Sequence, residues 1–208
     1  VAAWQAGRHA DPAWWIVQDP ELIMANPVER EVKLPYPNPG NARAAILRAG
    51  AVPWHARRLQ RDQLLDRETD PLRDRRCTLR LRVDGDHAFV TFKGTPQPGT
   101  MKIREELETS IGDGVVVLQV CERLGFHVWF RYEKYREEFT RGDLVIALDE
   151  SPIGTFVELE GSQEDILRMA NDLGRPPADF VADSYHALFQ KHRQAHGSTA
   201  QHMVFDTP

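Results

Sequence analysis

An α+β domain dominated by an antiparallel sheet or barrel is the fold class that the sequence predicts. Seven or eight segments alternate apolar and polar residues with the period of a strand. Only a few short stretches carry helical spacing with a cap. No repeat, low-complexity tract or linker long enough to divide two domains interrupts the 208 residues.

The first strand is VEREVKL, residues 28–34. Val28, Arg30, Val32 and Leu34 share one face, and Glu29, Glu31 and Lys33 share the other. PYPNPG then reads as a turn cluster, followed by a short helix over 41–49 closed by Gly50. WHARRLQRDQLLD (54–66) reads as a strand and ETDPLRDRR as a polar loop. A hairpin follows: TLRLRV (78–83), the turn DGD, and HAFVTFKG (87–94). MKIREELET (101–109) alternates again.

Residues 113–124 suit a helix capped by Asp113 and stopped by Gly125. HVWFRYEKYREEF (127–139) is a long strand that turns through RGD into LVIALDE (144–150), and TFVELEG (155–161) follows. Ser162 with Asp165 forms a capping box for a helix ending at Gly174. Ser184 caps a last helix, YHALFQKHRQAH (185–196). Residues 197–208 read as a frayed tail.

Residues 1–27 stand apart, with Trp4, Trp14 and Trp15 set among Ala, Pro and Asp without a period. Either the segment packs its tryptophans on the main domain, or the native chain begins at Met24 and the preceding residues are an upstream extension. The organisation expected is therefore an extension over 1–27, a domain over 28–196 and a tail over 197–208.

A content of 41% hydrophobic and 27% charged residues predicts a packed, soluble core. The net charge of −5 argues against a nucleic-acid binder with a broadly basic surface, but allows a local basic site for a small anion. Cys77 and Cys121 lack the spacing of a zinc site or disulfide framework and read as packing residues. No apolar run approaches the roughly 20 residues that span a bilayer. No basic-then-apolar secretory signature opens the chain. A cytoplasmic globular protein, with no membrane or nucleic-acid partner, is the expectation.

The charged strand faces carry the functional signal. Arg80 and Arg82 share one face of TLRLRV, and Lys93 ends the partner strand. Arg104, Glu106 and Glu108 line one side of KIREELE. Lys134 and Arg136 alternate with Glu133 and Tyr135, Asp149 ends LVIALD, and Glu158 and Glu160 alternate with Val157 and Leu159. Mixed charge is ordinary on the wet face of an antiparallel sheet, where cross-strand pairs contribute only about 0.2–1 kcal/mol each. Three features point elsewhere. The charged face recurs on nearly every strand, the basic and acidic residues segregate into pairs, and the opposite faces are apolar enough to pack under helices.

If such a sheet closes, the charged face becomes a lumen. Arg and Lys donors hold polyphosphate oxygens through charge-assisted hydrogen bonds. Hard Mg²⁺ or Mn²⁺ takes carboxylate and phosphate oxygens together. E-x-E spacing puts two carboxylates on one face, roughly 7 Å apart along a strand.

The motifs also occur in a telling order: Glu29-Arg30-Glu31-Val32-Lys33 (E-x-E-x-K), Gln60-Arg61-Asp62 with Asp66, LRLR with Arg80 and Arg82, TFKG with Lys93, Lys134-Tyr135-Arg136 (K-x-R), LDE with Asp149, and FVELEG with Glu158 and Glu160. This series resembles the CYTH superfamily, the triphosphate tunnel metalloenzymes, over most of residues 28–190. Its members include class IV adenylyl cyclases, thiamine triphosphatases and inorganic tripolyphosphatases.

The resemblance implies an eight-stranded antiparallel β-barrel forming a tunnel with covering helices. It implies a phosphate-binding set of Lys33, Arg80, Arg82, Lys93, Lys134 and Arg136, and a metal-side set of Glu29, Glu31, Asp149, Glu158 and Glu160 for Mg²⁺ or Mn²⁺. Lys33 and Glu31 are the implied catalytic pair, and Arg104, Glu106 and Glu108 either join the site or position it. The implied substrate is a small triphosphate: tripolyphosphate, ATP or thiamine triphosphate. Hydrolysis is the first implied reaction, cyclisation of ATP to cyclic AMP and pyrophosphate the alternative, and a non-catalytic binding module the third.

One departure stands out. Leu64-Leu65-Asp66 occupies the place where the family often has Tyr-Phe-Asp. His127 and His186 read as surface or core histidines. Trp129 and Tyr135, opposite Lys134 and Arg136 by strand period, read as core contacts under a helix.

Overall fold

The computed structural model describes residues 28–205, so the expectations for residues 1–27 and 206–208 lie outside the described residues. Eight strands form: β1 (Val28–Tyr36), β2 (Val52–Asp66), β3 (Thr78–Asp84), β4 (His87–Lys93), β5 (Lys102–Ile111), β6 (His127–Arg141), β7 (Leu144–Ser151) and β8 (Gly154–Glu160). They close into one antiparallel barrel in the order β1-β5-β4-β3-β2-β6-β7-β8. The helices are α1 (Pro39–Arg48), α2 (Gly114–Arg123), α3 (Gln163–Asp172) and α4 (Tyr185–His196). None of them is long and apolar enough to cross a membrane.

Local chemistry sets these elements. The β3–β4 and β6–β7 hairpins turn over two residues, since Asp84 pairs with His87 and Arg141 with Leu144. Gly85 and Gly142 supply the positive φ that such tight turns require, and the turn length fixes register. Helix α1 starts earlier than the sequence reading placed it. Pro39 occupies its first turn, where a missing N–H costs nothing, and the Asn38 side chain accepts the Asn41 N–H as N-cap. Asp113, Ser162 and Ser184 cap the remaining helices as their sequence predicts.

The main core lies outside the barrel. Val32 and Leu34 of β1, Ile146 and Leu148 of β7, and Val157 and Leu159 of β8 face outward against Ala42 and Ile46 of α1 and Ile166, Met169 and Ala170 of α3. Period-two alternation therefore turns the intervening charged residues into the lumen. A second cluster lies at one end, beside the lumen. There Tyr185 and Phe189 of α4 pack on Leu64, Phe130, Tyr132 and Phe156.

The expected fraying after residue 196 is corrected by the structure. Met203 is fully buried in that second cluster. Its N–H bonds the Arg131 carbonyl and its carbonyl accepts the Glu133 N–H, at 3.0 and 2.8 Å. The reason is an open edge: β6 pairs with β7 only from Tyr135 onward, leaving unpaired backbone that the tail satisfies. Val181 does the same for β1, which pairs with β5 only over residues 28–31. It exchanges hydrogen bonds of 3.0 and 2.9 Å with Lys33.

Candidate active site

The lumen opens as a cavity of about 690 Å³ whose wall carries nearly all of the charged residues singled out above. Lys33, Arg80, Arg82, Lys93, Lys134 and Arg136 all line it, as do Glu29, Glu31, Glu158 and Glu160. Arg104, Glu106 and Glu108 line it too. Asp149 does not share this wall.

Register explains the grouping. Glu29 pairs with Arg104 and Glu31 with Lys102 across β1 and β5, while Lys33 pairs with Glu158 across β1 and β8. Facing residues on one side of a sheet come within contact reach, so opposite charges meet across each strand boundary. Glu29 accepts from Lys93 and Arg104 at 2.7 and 2.8 Å. Glu31 accepts from Lys102 and Lys33 at 2.5 and 2.9 Å. Glu158 lies 2.5 Å from Arg136 and 3.2 Å from Lys33. On the opposite wall Asp62, fully buried, accepts from Arg82 at 2.8 Å and lies 3.5 Å from Arg80.

These contacts set the protonation states. Burial opposes ionisation of Glu31, but Lys102 and Lys33 overcome it and hold the carboxyl well below the usual carboxylate range. Glu158 is depressed in the same way by Lys134, Lys33 and Arg136 against its burial. Lys33, buried between Glu158 and Glu31, is raised above the ordinary lysine value and stays protonated. Lys134 moves the other way: burial, then Arg136, push it down to about 8 despite Asp149. Lys102 is also pushed down to about 8 by its burial.

Asp149 lies behind the cavity wall. It is fully buried and accepts hydrogen bonds from Lys134, Arg136 and the Tyr185 hydroxyl, each at 2.7 Å. Burial and the neighbouring Asp149 and Glu158 raise the Tyr185 phenol well above its ordinary value, so it remains a donor. Asp149 thus fixes two phosphate-set cations from behind, with its own oxygens fully engaged.

The remaining carboxylates fit a hard divalent cation. Among the described residues, no three His, Cys, Asp or Glu side chains are already gathered around one point as a chelate. Mg²⁺ and Mn²⁺ need no such cage, because they retain waters and take further oxygens from substrate phosphate. The telling residue is Glu160, which has no salt-bridge partner among the described residues. Desolvation, together with repulsion from Glu29 and Glu31, pushes its carboxyl up to about 7, although the residue is exposed. Excess negative charge at this corner is what a bound cation would relieve.

Several lining residues escaped the sequence reading. Lys102 could have been found, since it sits two residues before Arg104 on the same strand face. Trp129, His186, Arg73, Arg76 and Cys77 also line the cavity. Trp129 packs under α4 against the second cluster, as the sequence reading expects, and also reaches the cavity wall. A register slip between β2 and β6 pairs Leu64 with Phe130 but Leu65 with Val128, leaving Trp129 in a bulge without a partner. Tyr135 does face outward, packing against the tilted ring of Phe205 and beneath the Arg57 guanidinium.

A closed antiparallel barrel whose buried lumen pairs basic with acidic side chains defines the class of protein: a charged β-barrel tunnel. The CYTH domain model matches residues 28–185, and the chain belongs to that family. A Methanocaldococcus jannaschii protein named "Putative adenylate cyclase MJ0240" is 36% identical over 101 residues, 48% of this chain and 54% of that protein. The match thus spans about half the length of that curated relative.

Among solved structures, a "putative adenylate cyclase" from Vibrio parahaemolyticus superposes with a TM-score of 0.69 at 19% identity, over 79% of this chain and 99% of that one. The PH1012 protein from Pyrococcus horikoshii gives 0.66 at 22%, over 77% and 98%. A Hippeastrum protein described as a "putative adenylyl cyclase" with a dominant triphosphatase activity gives 0.60 at 17%, over 79% and 95%. At these identities the structural likenesses establish the fold.

Proposed function

We propose that this protein is a divalent-metal-dependent enzyme that acts on a small triphosphate inside the barrel, with hydrolysis as its first activity. The observation that carries this reading is the lumen itself. Lys33, Arg80, Arg82, Lys93, Lys134 and Arg136 converge on one cavity, with Glu29, Glu31, Glu158 and Glu160 along the same wall. A pure anion binder gains nothing from four carboxylates beside its ligand.

Mg²⁺ or Mn²⁺ held by Glu29, Glu31, Glu158 and Glu160 would neutralise phosphate charge and lower the pKa of an attacking water. The chain's own cations do the rest. Arg82, Lys134 and Arg136, backed by Asp62 and Asp149, hold phosphate oxygens in fixed directions and stabilise charge as it develops. Lys33 stays protonated between Glu31 and Glu158, so its role is electrostatic and orienting rather than that of a base. Glu31, held strongly ionised by two lysines, is a weak proton acceptor and serves better as a ligand and orienter. Catalysis then rests on positioning and charge.

A second reading has its own support. The Methanocaldococcus relative is named for adenylate cyclase, and cyclisation of ATP would use the same phosphate grip with the ribose 3′-hydroxyl as nucleophile. The deciding experiment incubates purified protein with Mg²⁺ or Mn²⁺ and tripolyphosphate, ATP or thiamine triphosphate in turn. Phosphate release supports hydrolysis, and cyclic AMP with pyrophosphate supports cyclisation. Binding without turnover of any of the three would overturn both.

A further inference from the structure

Two of the cations that line the lumen share an aromatic neighbour that no strand supplies. Lys33 stands on β1 and Lys134 on β6, with β8 and β7 between them in the barrel order. Strand pairing therefore does not set the placing of their ammonium groups relative to one another. Tyr185, the first residue of α4, reaches both and lines the same cavity. Its ring centroid lies 5.4 Å from the Lys33 Nζ and 4.9 Å from the Lys134 Nζ. An ammonium within about 6 Å of a ring centroid is attracted by the negative face of the π system, more strongly where water is excluded. Here it is excluded: both lysines are 2% exposed and Tyr185 is 6% exposed.

The tyrosine is itself held firmly. Its hydroxyl donates to Asp149 Oδ2 at 2.7 Å, the oxygen that Lys134 and Arg136 also reach. Its ring meets Phe156 edge-on and stacks on Tyr132, with centroids 5.9 and 5.8 Å away. The backbone leading into it is tied to β1, because Val181 exchanges its hydrogen bonds with Lys33 itself. Ser184 then starts the helix by accepting the Ala187 N–H.

A lysine ammonium rides on a flexible four-carbon stem, so its direction must be fixed by neighbours. Carboxylates fix it by taking up N–H donors: Lys33 contacts Glu31 and Glu158, and Lys134 contacts Asp149. Neither ammonium exhausts its three donors in this way. A ring face restrains a cation without occupying a conventional acceptor, which leaves the remaining donors for phosphate oxygens.

We propose that Tyr185 is a positioning residue whose ring sets Lys33 and Lys134 relative to one another, so that a helix outside the barrel wall determines how tightly a triphosphate is gripped. This rests on the triphosphate reading above and deepens it.

The test is isothermal titration of tripolyphosphate, with Mg²⁺ present, into wild type, Tyr185→Phe, Tyr185→Leu and Phe189→Leu. Phe keeps the ring without the hydroxyl, and Leu keeps apolar bulk without a π face. Phe189 lies on the same helix and in the same cluster but packs on Phe130, so its variant loosens helix packing alone. The proposal predicts binding within about twofold of wild type for Tyr185→Phe and Phe189→Leu, and about fivefold or more weaker for Tyr185→Leu. Undiminished affinity in Tyr185→Leu overturns it. An equal loss in Tyr185→Phe also overturns it by assigning the effect to the hydroxyl, and an equal loss in Phe189→Leu by assigning it to helix packing. In each of these cases the triphosphate reading stands, whereas a wild type that binds no tripolyphosphate overturns both. If Tyr185→Leu does not fold, a trifluorinated phenylalanine at position 185 decides, since it keeps the shape of the ring and weakens its negative face. Weaker binding than in Tyr185→Phe is then expected, and equal binding contradicts the proposal.

Discussion

Along β1, Val32 and Leu34 on the outer face and Glu31 and Lys33 on the inner face are all 5% exposed or less. Four neighbouring side chains are thus equally removed from bulk solvent, yet they are stabilised by opposite means. The outer pair packs against α1 and α3, where buried apolar area supports folding directly. The inner pair is ionised and survives burial only through partners, since desolvating charges costs several kcal/mol per ion before pairing. The outer face holds the barrel together. The inner face stays ionised only because its charges pair across the strands.

The largest effect that would sharpen this contrast is catalytic. Glu158→Gln and Glu29→Gln should each reduce metal-dependent turnover to background while the barrel, followed by circular dichroism, stays folded. Near-normal rates in both would remove the metal assignment.

Stability separates the faces next. Asp149→Ala strands Lys134, Arg136 and the Tyr185 hydroxyl without their common acceptor, and should cost about 3–5 kcal/mol in urea unfolding. Ile166→Ala on the outer side should cost a comparable amount, about 2–5 kcal/mol. Only the first should also weaken tripolyphosphate binding. Equal affinity in the two variants would mean that the two faces are not functionally distinct.

A pH profile tests the inner face more gently. Anion binding favours protonated Lys134, whose value burial and Arg136 have pushed down to about 8. ATP affinity should therefore hold below that point and fall as pH rises through it, because the free protein increasingly carries neutral Lys134. A profile flat from pH 7 to 9.5 would contradict this. The smallest effect belongs to Tyr185→Phe, which removes one buried hydrogen bond to a carboxylate and should cost about 1–2 kcal/mol in the same urea measurement.

The barrel and its charged face were legible because period two is a strong signal once several strands repeat it. Glu29, Arg82, Lys134 and Glu158 fall into the lumen as alternation requires. What alternation could not show is where it breaks. Trp129 sits in a bulge created by a one-residue mismatch between β2 and β6, and nothing local in HVWFRY announces that slip. Asp149 enters the metal-side set only through the family resemblance. In the structure it accepts from Tyr185, 36 residues downstream, a contact that only tertiary structure creates. The tail was misread for the same reason: Met203 is anchored by an open edge of β6, a property of the assembled sheet rather than of GSTAQHMV.

The central claim is that the inner face is one triphosphate site built from opposing walls of the barrel. Titration of tripolyphosphate with Mn²⁺ into wild type and into an Arg82→Ala, Lys134→Ala variant tests it directly, since these cations stand on β3 and β6 and share only the lumen. The account predicts one-to-one binding to wild type and its loss in the variant. Undiminished binding in the variant would contradict it.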